Sequence, residues 1–154
     1  MMRRRSTFTR AVALPERVVA AERMAPESSV QGARMEELNF EQRVAEARAH
    51  VREVPAIDAV AMFRRRDDVV YLDVREQREW NLFRIPGAVH VPLAAISDRV
   101  KDCIPCSRRV LVYCARGGRA ALATDAMLGL GYRDVACVAG GVMGWVYAGG
   151  ELEE

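Results

Sequence analysis

One stretch of the sequence predicts a strand, a tight turn and a helix in succession, and it reads Val110-Leu111-Val112-Tyr113-Cys114-Ala115-Arg116-Gly117-Gly118-Arg119. Its first four residues are apolar and β-prone, which is typical of a buried strand. Residues 120–128, which follow it, are strongly helix-prone. The sequence therefore places Cys114 at the C-terminal end of a strand, on a glycine-containing turn, just before a helix begins.

Cys114 stands at a point where a protein stabilises negative charge. Backbone N–H groups and the positive end of the helix dipole converge at a helix N-terminus, and Gly117 and Gly118 allow the turn to curl so that several N–H groups face inward. Arg116 and Arg119 add positive charge. We expect a thiol in this position to ionise more readily than a free cysteine, so these residues predict a thiolate nucleophile in an oxyanion-binding loop.

Length and composition indicate one folded domain and a tail, because the chain has 154 residues, of which 51% are apolar. The net charge of +2 is too small to predict nucleic-acid binding, and no apolar run reaches the length of a membrane span. The basic N-terminus has no apolar segment behind it, which argues against a secretory signal. Four unequally spaced cysteines do not make a disulfide scaffold, so we expect a reducing cytoplasm.

Three segments follow one another along the chain. Residues 1–35 lack sustained periodicity and include helix breakers such as Pro15 and Pro26, so we expect a flexible tail. Residues 36–53 have apolar residues near helical spacing, which predicts an amphipathic helical extension. That extension either packs on the domain or mediates self-association. Residues 54–150 form the predicted domain.

Strands alternate with helices through this domain. The predicted strands are 69–74, 89–91, 109–113 and 135–138, and the predicted helices are 56–66, 93–101 and 119–130, with a short helix or turn at 75–80 and a short helix containing Trp145 after Gly141. The inward face of the first helix is predicted to hold Ile57, Val60, Ala61 and Phe63. This alternation predicts an α/β fold with an open, mostly parallel central sheet and helices on both faces. Ligands of such sheets bind beyond the C-terminal strand ends, so Asp73 and Cys114 are expected at the same rim.

Four segments of the domain form an ordered set of motifs. They are Asp73-Val74-Arg75 with Glu79-Trp80, Ile85-Pro86-Gly87-Ala88-Val89-His90-Val91-Pro92, Cys114-Ala115-Arg116-Gly117-Gly118-Arg119, and Ala139-Gly140-Gly141-Val142-Met143-Gly144-Trp145. Together they resemble the signatures of single-domain rhodaneses, a family of sulfurtransferases. One short motif would be weak evidence, whereas four in order over about two-thirds of the chain are specific.

The resemblance implies an activity that needs no cofactor. Cys114 would take a sulfane sulfur from a small anionic donor, thiosulfate or a persulfide, and pass it as a persulfide to a thiol or to cyanide. A protein thiol is a candidate acceptor in the cell. The backbone N–H groups of residues 115–119 would hold the persulfide charge, Arg119 would tie the loop together and favour the thiolate, and Arg116 would attract the donor. Arg75 would be a second cation at the rim, and Asp73 would orient Arg75 or the loop amides.

Some alternatives stay open. The pattern around Arg116 fits an ordinary surface charge as well as it fits a substrate-binding role. Asp73 and Arg75 fit a structural ion pair as well as they fit a role in the chemistry. The six residues from Cys114 to Arg119 match sulfurtransferases, since related phosphatases and arsenate reductases have a seven-residue loop. A non-catalytic interaction or sensing module that has kept the loop is the alternative from another class.

Two further features bear on specificity and on metal binding. Rhodaneses usually carry Gly-His before the Ile-Pro-Gly-Ala turn, whereas Phe83-Arg84 stand here, so that turn is expected to be shaped differently.

Cys103-Ile104-Pro105-Cys106 is a C-x-x-C motif, which is either incidental or a redox pair. A structural zinc site needs four ligands and the chain offers no second such pair, so we predict no metal site.

Overall fold

The computed structural model describes residues 39–154, and Arg43–Glu154 form one compact unit. The predicted flexible tail, residues 1–35, lies outside the described residues. The domain boundaries proposed from the sequence stay a prediction.

A five-stranded parallel sheet forms the centre of this unit. Its strands, in chain order, are β1 (Glu53–Val54), β2 (Val70–Asp73), β3 (Val89–His90), β4 (Val110–Tyr113) and β5 (Val135–Val138). They lie side by side in the order β1-β5-β4-β2-β3, and every pair of neighbours is parallel. The predicted open, mostly parallel α/β sheet is therefore confirmed.

Helices cover both faces of the sheet. The described helices are α1 (residues 39–48), α2 (Ala56–Arg64), α3 (Gln77–Leu82), α4 (Ile96–Cys103), α5 (Gly118–Gly129) and α6 (Gly141–Tyr147), with a 3-10 turn at Leu93–Ala95 before α4. Side chains alternate along a strand, so one face of β4 packs with α4 and α5 while the other packs with α2 and α6. All four residues of β4 are buried, which explains its continuous apolar run.

Two predictions about local structure were wrong. Ile57 is 68% exposed, because α2 turns Ala59 and Val60 toward the sheet instead. The helix predicted over 36–53 ends at residue 48, and β1 follows it. β1 has only two residues and pairs with β5, far along the chain, so no local pattern reveals it. Within residues 39–154, none of the helices combines the length and the apolar composition that a membrane crossing requires.

Candidate active site

The carboxyl ends of β2 and β4 bring the predicted site residues to one edge of the sheet. Asp73 is the register partner of Tyr113, the residue before Cys114. Val74 donates its backbone N–H to the Tyr113 carbonyl at 3.0 Å, which continues the pairing past both strand ends. The shared rim expected for Asp73 and Cys114 is therefore present.

The thiol of Cys114 lies inside the turn that joins β4 to α5. The residue is only 1% exposed. The backbone N–H of Gly117 donates to its Sγ at 3.0 Å, and that of Ala120 donates at 3.4 Å. Gly117 belongs to the segment predicted to supply such donors, whereas Ala120 lies one residue beyond it. Two N–H groups directed at one sulfur stabilise negative charge on that sulfur.

The turn depends on the backbone conformation of Gly117, which sits immediately before α5. Its φ of +118° is one that side chains with a Cβ rarely adopt. This conformation aims the Gly117 N–H back at Sγ. Gly118 then begins α5, and the N–H of Ala120 in the first turn of that helix also donates to the sulfur.

The start of α6 holds the loop from the other side. Val142 donates its N–H to the carbonyl of Cys114 at 2.8 Å, and Met143 donates to that of Ala115 at 3.2 Å. A Cβ on Gly141 would lie 2.5 Å from the Cys114 carbonyl oxygen, so no larger residue fits there. Gly141 lies in one of the four sequence motifs but was not among the predicted site residues.

Arg119 fastens the loop to α3. Its Nη1 and Nη2 contact the two carboxylate oxygens of Glu79 at 2.8 and 3.1 Å, and both side chains are partly buried. The hydrogen bond from Arg119 lowers the pKa of Glu79 to about 2. Glu79 also accepts the backbone N–H of Glu76 at the start of α3. Much of the positive charge of Arg119 is thus offset by a partner that sequence reasoning had not placed in the site.

Asp73 and Arg75 form a buried ion pair rather than an exposed cation at the rim. Arg75 Nη2 lies 2.8 Å from Asp73 Oδ2, and the two residues are 2% and 0% exposed. The same Nη2 donates to the carbonyl of Phe83 at 2.6 Å, and the guanidinium lies 5.1 Å from the centre of the Phe83 ring. This is the structural ion pair that the sequence also allowed, and a role in donor binding stays a prediction for both residues.

Arg116 is exposed on the loop, which agrees both with an ordinary surface charge and with a donor-binding role.

Phe83 and Arg84 each make contacts within the domain. Phe83 is in extended backbone, and its ring faces Arg75. Arg84 stacks on Trp80 at 4.8 Å and pairs with Glu153 at 3.3 Å.

The C-x-x-C motif lies at the opposite end of α5 from Cys114. Cys103 ends α4 and is exposed, and Cys106 Sγ is 4.0 Å from the Cβ position of Gly131, just past the end of α5. Since α5 has 12 residues, about 18 Å separates the two regions. At this separation, Cys103 and Cys106 cannot exchange a disulfide or a sulfur atom directly with Cys114 of the same chain. Among residues 39–154, no group of three or more His, Cys, Asp or Glu side chains is arranged to hold a metal ion.

A family model described as "Rhodanese-like domain" matches residues 57–148. The chain belongs to the rhodanese-like family. This rhodanese-like protein is 33% identical over 103 residues to an HTH-type transcriptional regulator of Mycobacterium tuberculosis, across 64% of this chain but only 45% of that protein. It is 32% identical over 83 residues to a sulfurtransferase of Allochromatium vinosum, across 54% of this chain and 77% of that protein.

This chain is also similar to a solved structure. The thiosulfate sulfurtransferase from Pseudomonas aeruginosa superposes with a TM-score of 0.66 at 32% identity, over 75% of this chain and 22% of that one. This rhodanese-like chain thus spans less than half the length of two of these three relatives. The fold of its neighbours agrees with the parallel sheet described above.

Proposed function

We propose that this rhodanese-like protein is a sulfurtransferase, which moves a sulfane sulfur from thiosulfate or a persulfide to a thiol or to cyanide through a persulfide on Cys114. The observation that carries the proposal is the pair of backbone N–H groups, from Gly117 and Ala120, that point at Cys114 Sγ. They suit a sulfur atom that bears negative charge both before and after transfer. The sulfurtransferase relatives support the same reaction class.

The reaction has two balanced steps. In the first, the thiolate of Cys114 attacks the outer sulfur of thiosulfate, a new S–S bond forms, and the donor's S–S bond breaks so that sulfite leaves with the electron pair. In the second, the carbon of cyanide or a thiolate attacks the terminal sulfur and releases the Cys114 thiolate, giving thiocyanate or a new persulfide. Once the thiol is ionised, neither step needs a strong base.

The loop residues have separate proposed roles. The N–H groups of Gly117 and Ala120, with those of residues 115, 116, 118 and 119, surround the persulfide. Losing one such preorganised donor typically costs about 2.7–4 kcal/mol at a transition state. Arg119 fixes the loop through Glu79, and Arg116 attracts the anionic donor from the surface. Asp73 and Arg75 support the rim from within the core.

The expected surroundings follow from the same chemistry. The thiol nucleophile and the free Cys103, Cys106 and Cys137 fit a reducing compartment, so we propose that the protein works in the cytoplasm. The proposed partners are a small anionic sulfur donor and a protein thiol acceptor.

One alternative function has an observation of its own. The similarity to a transcriptional regulator favours a sensing or interaction module, in which the loop reports on sulfur species. A phosphatase or arsenate reductase is disfavoured, because the six-residue loop from Cys114 to Arg119 is one residue shorter than theirs.

Intact mass after incubation with thiosulfate tests the proposal. We expect a gain of one sulfur atom, its loss on adding cyanide with release of thiocyanate, and no gain in Cys114→Ser. An unmodified wild-type mass after incubation with thiosulfate and, separately, with a small-molecule persulfide would exclude the sulfurtransferase. A stable gain of sulfur without turnover by cyanide or thiols would favour the sensing module, and Cys114-dependent hydrolysis of a phosphate ester would favour the phosphatase.

A further inference from the structure

Helix α1 contacts the Cys114 loop although it lies outside the segment that matches the family model, residues 57–148. Ala47, 2% exposed, faces the domain from this helix. A methyl group of Val44 is 3.7 Å from the Cβ position of Gly118. Arg48 Nη2 is 3.1 Å from the Cβ position of Gly117, the residue whose N–H donates to Sγ. The last turn of α1 therefore lies over the start of the loop.

The guanidinium of Arg48 is close enough to influence charge at the sulfur. Following the atoms from Cys114 Sγ through the backbone of Gly117 to its Cβ position limits the distance from Sγ to Arg48 Nη2 to at most about 9 Å. That is about one Debye length at physiological ionic strength. The Arg48 side chain is 46% exposed, so it is accessible to a dissolved anion.

Arg48 is also less neutralised than Arg119 and Arg75. Arg119 and Arg75 each approach a carboxylate at 2.8 Å. Within residues 39–154, Arg48 meets a carboxylate only at Glu53, through Nε at 3.9 Å, while its Nη2 faces the loop. Its charge therefore remains more available to a ligand than theirs.

We propose that Arg48 is a donor-binding residue, which makes the site prefer sulfur donors that carry more than one negative charge. This proposal rests on the sulfurtransferase function proposed above. A dianion such as thiosulfate gains more from this charge than a monoanionic alkyl thiosulfonate does, since Coulomb attraction scales with ligand charge. Arg48 touches the donor and not the sulfur being transferred, so its effect falls on binding.

The first experiment compares steady-state kinetics of Arg48→Gln, Arg48→Lys and Arg43→Gln. Arg43 is exposed on the same helix, which makes its variant the control for an equal loss of charge. We expect Arg48→Gln to raise the KM for thiosulfate about 2- to 5-fold with kcat changed less than twofold, and Arg48→Lys to restore most of the loss. The rise should be smaller with the monoanionic donor and should shrink as salt is added. Equal KM in Arg48→Gln and Arg43→Gln, or equal rises for the two donors, would overturn the proposal.

A second experiment needs no turnover. Thiosulfate binding to Cys114→Ser is measured by calorimetry, with and without Arg48→Gln. Weaker binding in the double variant supports a donor-binding Arg48 even if the wild type transfers no sulfur, and unchanged binding refutes it even if the wild type is active. Failure of the sulfurtransferase proposal and failure of this one are thereby told apart.

Discussion

Replacing Gly141 with alanine should dislodge the loop that carries Cys114. The new Cβ would lie 2.5 Å from the Cys114 carbonyl oxygen and 2.6 Å from the carbonyl carbon and oxygen of Ala115, all of them backbone atoms that cannot swing aside. Gly141 also has φ of +61°, which is unfavourable for alanine. Either α6 or the loop must move, and the hydrogen bonds that join them must lengthen.

The cost follows from these contacts. A left-handed backbone costs alanine about 1–2 kcal/mol, and weakening the two hydrogen bonds from Val142 and Met143 adds about 0.5–1.5 kcal/mol each. We therefore expect Gly141→Ala to lower the free energy of unfolding in urea by about 2–5 kcal/mol. Displacing the loop by about 1 Å should also reduce sulfur transfer about 100-fold.

The control is Gly129→Ala, at the end of α5, where a Cβ would meet nothing within 4 Å. That variant should be unchanged or up to about 1 kcal/mol more stable, since alanine favours a helix. Amide hydrogen exchange at Val142 and Met143 should be faster in Gly141→Ala alone. Wild-type stability and wild-type exchange in Gly141→Ala would refute the packing of α6 against the loop.

Three other predictions concern contacts around the site and in the core. Glu79→Gln leaves Arg119 without its carboxylate and should cost about 1–2 kcal/mol in urea unfolding at pH 6. Folding lowers the pKa of Glu79 from about 4.5 to about 2, so the stability contributed by its carboxylate is full above about pH 4.5 and is lost as the pH falls through about 2. The wild type and Glu79→Gln should therefore have the same free energy of unfolding near pH 2. A difference in that free energy that does not change with pH would contradict this prediction. Burial raises the pKa of Cys137 to about 11, so iodoacetamide at pH 8 should label exposed Cys103 well before Cys137 in the folded protein, and equal rates would contradict that burial. Tyr71→Phe removes a buried hydroxyl that donates to an α2 carbonyl at 2.9 Å and should cost about 1 kcal/mol, which unchanged urea unfolding would exclude.

Local patterns were sufficient for the parts of the fold and site that depend on neighbours in sequence. The strand before Cys114, the turn at Gly117 and the helix after it lie within twenty consecutive residues, and the parallel sheet followed from the repetition of such strand–helix units. The pairing of Arg119 with Glu79 joins residues 40 apart, and nothing in either segment marks the other as its partner.

Packing decided the remaining features. Ile57 has an apolar side chain at a helical position, yet it is exposed because the orientation of α2 is set by the whole helix against the sheet. The N–H of Ala120 reaches Sγ through the curvature of the turn, which residue types alone do not define. Arg48 meets the loop from a helix that lies outside the family motifs, so no motif could have assigned it.

The two hydrogen bonds from α6 to the loop also constrain the order in which this protein matures during synthesis. Cys114 emerges from the ribosome before Val142 and Met143 emerge, and at about 5–20 residues per second the delay is on the order of seconds. During that interval the carbonyls of the loop have no partners from α6, and the thiol is open to solvent and oxidants. A reducing environment would then protect the nascent chain at the stage when its nucleophile is least shielded.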